Sequence, residues 1–216
     1  MVVFYFYKNM IFVFCQVWFQ ILCGFSGTNY LSQNLLSIQN VALSTLQCFV
    51  AYYYETPDLK GLKFARPSQF KNNIRGGQFD QRVFWVMVFN SFLQGSLIFW
   101  ISIFCYQKPV TMNGKMVDFN VSGVFAFCLI IVVVNIKLQL DLNKKSAAAF
   151  FISLVSFGIL YSAARVLSIE KVSIFFNDDL GGTLPQMLLS MRAAVCGILA
   201  TLLVLLPDIL KKWLYA

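Results

Sequence analysis

The sequence predicts an all-α fold, a polytopic membrane bundle of six transmembrane helices. Three observations carry that prediction. The chain is 59% hydrophobic and 12% charged, with a mean hydropathy of +0.71, whereas a soluble domain carries about 25% charged residues. Its charges lie almost wholly between apolar runs. Its 23 Phe and 9 Tyr suit lipid-facing and interfacial surfaces. No internal repeat, low-complexity tract or long linker divides it, so residues 1–216 read as one membrane domain.

Span one is expected at about 3–25. It lacks a basic leading segment and no small-x-small cleavage site follows, so it reads as a retained span and not a signal peptide. Lys8 and Asn9 interrupt it. A cation at the centre of a span costs roughly 2.5–3.5 kcal/mol and is by default a functional-site candidate. The competing reading is a lysine near the helix end that snorkels to the headgroups. Successive helical residues are 100° apart, so Asn9, Gln16 and Gln20 fall within about 40° of one another. That amide stripe should face protein or a water-filled path, since lipid offers no partners.

Span two, at about 34–54, is the most polar. Gln33, Ser37, Asn40, Ser44 and Gln47 recur at spacings of four and three, on one helical face. They serve either interhelical hydrogen bonds or the wall of a hydrophilic groove, and the groove is the preferred reading. The loop 55–82 follows, with Lys60, Lys63, Arg66, Lys71, Arg75 and Arg82 against Glu55, Asp58 and Asp80. Such an excess in a short loop marks it as cytoplasmic, facing anionic lipids.

Span three, at about 83–105, carries Asn90, Gln94 and Gly95. The sequon Asn120-Val-Ser122 lies at the membrane edge of span four, which covers about 121–138. Span five covers about 147–167. Span six covers about 184–206 and includes Arg192. The tail from Pro207 holds Asp208, Lys211, Lys212 and Trp213 and reads as an interfacial anchor. With both termini cytoplasmic, the inner segments hold ten Lys and Arg, and the outer loops only Lys108, Lys115 and Lys171.

Much chemistry is excluded. The chain has no His, the commonest metal ligand and general base. Its six Cys lie in or beside apolar segments without a CxxC, as small buried residues do. No GxxxxGK[ST] loop is present. Asp178 and Asp179, beside Gly181-Gly182, read as a solvated turn before a metal site. The net charge of +8 sits around apolar runs, so a membrane surface is expected and no nucleic acid.

Four runs carry a resemblance to a known family: Tyr7-Lys8-Asn9, Trp18-Phe19, Gly24-Phe25-Ser26-Gly27 and Val134-Asn135-Ile136-Lys137-Leu138. They resemble the C-terminal membrane region of the phospholipid-translocating (type IV, flippase) P-type ATPases. Gln39-Asn40-Val41-Ala42-Leu43-Ser44-Thr45-Leu46-Gln47 is similar to the run on that family's next helix, and Pro67, Phe70, Phe79, Phe84 and Trp85 follow its loop spacing. The likeness is strong to about Trp100 and weaker beyond Leu140.

The resemblance implies several things. The parent activity would be ATP-driven movement of phospholipid from the outer to the inner leaflet, with Lys8 and Asn9 on the lipid path. Gln16, Gln20 and Asn40 extend that path by geometry. Partners would be phospholipid, the remainder of the ATPase and a small glycosylated accessory subunit. The family's cofactors, ATP and Mg, would bind elsewhere, because this chain has no DKTG motif or nucleotide-binding domain, so no cofactor is expected in it. The chain departs from the pattern where Gln47 replaces a Pro and Tyr54-Glu55-Thr56-Pro57-Asp58 replaces an Asp-Gln-Asp sequence. It is therefore expected to be the membrane half of a flippase, a fragment that alone hydrolyses no ATP. The alternative is a stand-alone, flippase-derived membrane protein: an assembly partner, a passive scramblase or a non-functional remnant.

Overall fold

The computed structural model describes residues 2–40, 81–106, 119–141, 147–167, 169 and 191–214. Expectations for residues 41–54 of span two, loop residues 55–80, the outer loops and residues 184–190 of span six lie outside the described residues. Among the described residues all regular structure is helical. The helices are α1 (Val2–Leu22), α2 (Gln33–Ile38), α3 (Gln81–Cys105), α4 (Phe119–Asp141), α5 (Ala147–Leu167) and α6 (Met191–Leu214).

Among the described residues three stretches are long and apolar enough to cross a membrane: Gln81–Cys105, Phe119–Leu140 and Ala193–Trp213. Helix α1 has 21 residues. Lys8, Asn9, Gln16 and Gln20 are its strongly polar residues. Helix α4 is central, with 78% of its most apolar window buried against 39% in α3 and 22% in α6. Its run from Val124 to Val134 is apolar on every side, as a fully surrounded helix must be.

Helix α1 packs chiefly on α3. Phe6 meets Phe84 edge-on at 6.3 Å, Phe14 meets Phe92 at 5.3 Å, and Trp18 Nε1 donates to Ser96 Oγ at 2.6 Å. Later residues meet later residues, so α1 and α3 run parallel. Phe19 stacks on Phe119 at 5.8 Å and Phe12 meets Phe127 at 5.8 Å, so α4 is antiparallel to α1. Gly197 lies against Phe125 and Leu129, and Asp208 meets Lys137, so α6 is parallel to α4.

Helix α1 ends on Gly24. The Phe25 N–H donates to Gln20 O at 2.8 Å and the Gly24 N–H to Ile21 O at 3.4 Å. This is a Schellman closure, which requires a left-handed residue just past the helix, and Gly24 has φ +60. Phe25 (φ 59) and Gly27 (φ 78) continue the turn. The Gly-Phe-Ser-Gly run is thus a helix stop.

Helix α6 departs from the expected end near Leu206. It continues through Pro207 to Leu214. Proline removes the N–H that would bond Leu203 O and crowds that carbonyl. In a membrane bundle, neighbouring helices can satisfy the groups so freed. Here Gln94 Nε2 donates to Val204 O, one residue on, at 3.1 Å.

Candidate functional site

The first polar centre is built on Lys8. The residue sits within α1 and is only 2% exposed. Its Nζ donates to Asn40 Oδ1 at 3.2 Å, just past the end of α2. It also stands 4.9 Å from the centroid of the Tyr5 ring. A buried ammonium needs oxygen acceptors or an aromatic face, and this one has both.

The other amides of α1 go elsewhere. Gln16 Oε1 accepts the backbone N–H of Tyr30 at 3.2 Å and of Leu31 at 3.4 Å. Its Nε2 donates to Thr28 O and Asn29 Oδ1, each at 3.4 Å. Gln20 Nε2 donates to the same Thr28 carbonyl. Both glutamines therefore hold the chain that returns from the Gly24 turn. Tyr30 closes this hairpin from within, stacked on Phe19 at 4.8 Å and edge-on to Phe99 at 5.4 Å. Burial pushes its phenol well above the ordinary range, so it stays neutral. Asn9 is exposed on the outer face of α1. The structure thus brings Lys8 together with Asn40, and Gln16 with Gln20 on Thr28, and leaves Asn9 apart from both pairs.

A second polar centre joins four helices. Lys137 of α4 and Asp208 of α6 form an ion pair, Nζ to Oδ2 at 2.9 Å. Gln94 of α3 donates from Nε2 to the same Asp208 oxygen at 2.8 Å. The Tyr7 hydroxyl donates to Gln94 Oε1. Lys137 Nζ also lies 3.6 Å from the centroid of the Tyr7 ring. Ion, amide and phenol thus close a ring in which each polar group meets another, the condition for burying charge in an apolar medium. Because Tyr7 and Lys8 are consecutive, the two centres adjoin on α1.

Sequence reading did not assemble this second centre. Gln94 was legible as a polar position on span three, but Lys137 stood only as part of the Val134–Leu138 run at the end of span four and Asp208 as part of a tail. The signal lay in their signs, one cation and one anion, each inside an apolar helix.

Comparison with known proteins identifies the bundle. The family model described as the C-terminal region of phospholipid-translocating P-type ATPases matches residues 1–216. The chain belongs to this family. Among its relatives, the mouse phospholipid-transporting ATPase IH is 26% identical over 222 residues, covering 98% of this chain. Its human counterpart is 25% identical over 214 residues, again 98% of this chain. The mouse phospholipid-transporting ATPase VD is 23% identical over 164 residues, 74% of this chain. The flippase-family chain spans 18%, 19% and 12% of the lengths of these three relatives. With three helices among the described residues long and apolar enough to cross a membrane, it is an integral membrane protein.

Neither centre offers a set of groups that would hold Mg, one of the family's cofactors. Among the described residues no three His, Cys, Asp or Glu side chains converge. Asp208, the carboxylate inside the bundle, is already held by Lys137 and Gln94.

Proposed function

We propose that this chain is the C-terminal membrane half of an ATP-driven phospholipid flippase, working with ATP-hydrolysing domains that its own residues do not supply. The observation that carries the reading is Lys8, a lysine 2% exposed within a membrane helix and bonded to Asn40 on the next segment. A headgroup that crosses while its acyl chains stay in lipid must exchange water for polar side chains. Lys8 and Asn40 offer an ammonium and an amide at one level of the bundle. Asn9, on the open face of α1, offers a second amide one residue away. Gln16 and Gln20 border the path where the return loop caps it.

The chain crosses the membrane six times, with both termini and loop 55–82 on the cytoplasmic side against anionic lipid. Helix directions support that count. The parallel pair α1 and α3 needs one return crossing, for which the stretch beginning at α2 is long enough. The parallel pair α4 and α6 needs another, supplied by α5. Transport runs from the outer to the inner leaflet, and a small accessory subunit is the expected partner outside the ATPase itself.

The test is uptake of fluorescent phospholipid by cells expressing the complete polypeptide that carries this region. Lys8→Ala should reduce uptake at equal surface expression, and Lys8→Arg should retain part of it. Uptake unchanged in Lys8→Ala would remove Lys8 from the path.

A further inference from the structure

We infer that Lys137 and Asp208 are positioning residues, whose ion pair acts through Gln94 and Tyr7 to set the rotation of α1 and hence the place of Lys8. The inference rests on reading α1 as a wall of the lipid path.

The chain of contacts is continuous. Asp208 fixes Lys137 at 2.9 Å and Gln94 at 2.8 Å. Lys137 covers one part of Tyr7, its ring, and Gln94 holds another, its hydroxyl. Two contacts at different points of one rigid ring fix the direction in which that side chain leaves the helix. A helix whose side chain is fixed in direction cannot turn about its axis. The next residue stands 100° round that axis, which aims Lys8 away from the ring of contacts and toward Asn40. If the ion pair is lost, Tyr7 loses the ammonium over its ring and one of its two fixing contacts, the hydroxyl bond to Gln94 being left, and α1 gains rotational freedom. Lys8 then spends part of its time off the path.

Simple packing of four helices would not need this arrangement. Apolar residues of similar volume hold helices together at least as well as a buried ion pair. What the pair adds is direction, because the carboxylate accepts from two donors on two different helices.

The experiment measures uptake of fluorescent phosphatidylserine, phosphatidylethanolamine and phosphatidylcholine in turn, against lipid concentration, in the complete polypeptide. Lys137→Met should raise the half-saturating concentration about fivefold or more, the low end of coupling between linked sites, and lower the maximal rate by less. The exchange Lys137→Asp with Asp208→Lys should return half-saturation toward the starting value. Half-saturation unmoved in Lys137→Met, while Lys8→Ala abolishes uptake, would overturn the inference and leave the lipid path standing. A Lys8→Ala variant with full uptake would instead defeat the path reading and, with it, the inference. Should Lys137→Met fail to reach the membrane, Tyr7→Phe takes its place. It removes one hydroxyl and keeps the ring beneath Lys137, and an unmoved half-saturation there is equally fatal.

Discussion

Gln16 accepts the backbone N–H of Tyr30 through its side-chain carbonyl at 3.2 Å, fastening α1 to the chain that follows it. The same oxygen takes Leu31 at 3.4 Å. One amide thus does for the return loop what a strand partner would do elsewhere, and it does so where the backbone of a loop would otherwise be short of acceptors.

Replacing Gln16 by Leu should therefore destabilise the chain by about 1–3 kcal/mol, the cost of leaving buried backbone donors without partners. Gln20→Leu should cost less, because Thr28 O retains the Gln16 amide at 3.4 Å. Thermal unfolding of the purified protein in detergent, followed by tryptophan fluorescence, ranks the two. Equal losses would contradict these assigned roles.

The close approach of the loop to α4 makes a sharper prediction. A Cβ on Gly123 would collide with Tyr30 O, which is backbone and cannot swing aside. Gly123→Ala should cost about 1–3 kcal/mol through overpacking. Gly158, on α5, has open space within 4 Å of the point where a Cβ would stand, so Gly158→Ala should be neutral or gain about 0.5–1 kcal/mol from helix propensity. The same unfolding assay reads both, and a loss at Gly158 matching that at Gly123 would count against this packing.

The ion pair between α4 and α6 predicts strong non-additivity. Asp208→Leu alone leaves Lys137 as an unpaired cation among helices and should cost about 3–5 kcal/mol. Lys137→Met with Asp208→Leu removes both charges and should recover most of that loss. A double-mutant cycle on the unfolding midpoints yields the coupling. Additive single effects would show that the two groups do not depend on each other.

How much of this was legible in the sequence depends on whether the partner lay nearby in the chain. Helices α3, α4 and α5 occupy long apolar runs that hydropathy picks out without help. Lys8 was visible because a cation inside such a run is an anomaly. The angular relation of Gln16 and Gln20 followed from helix geometry, but spacing identifies a face and not what lies against it; a return loop wraps onto this one. Helix α6 runs on past the span end expected near Leu206, since Pro207, which usually stops a helix in water, lies inside it here. Lys137 and Asp208 each stand near an apolar-run boundary, where charge is ordinary. Their meaning arises only from the parallel packing of α4 and α6, which local spacing does not encode.

The Lys137–Asp208 pair also bears on how the protein is made. Helix α4 is synthesised before α6, so it must enter the bilayer carrying Lys137 with no carboxylate yet available from α6. On insertion scales a lysine at the centre of a span costs roughly 2.5–3.5 kcal/mol; Lys137, four residues from the end of α4, costs less, and the strongly apolar remainder of the helix offsets it. Neutralisation waits for the last described helix. A nascent chain halted short of Asp208 would display an uncompensated charge within the membrane, a mark by which cellular surveillance could tell an unfinished bundle from a finished one.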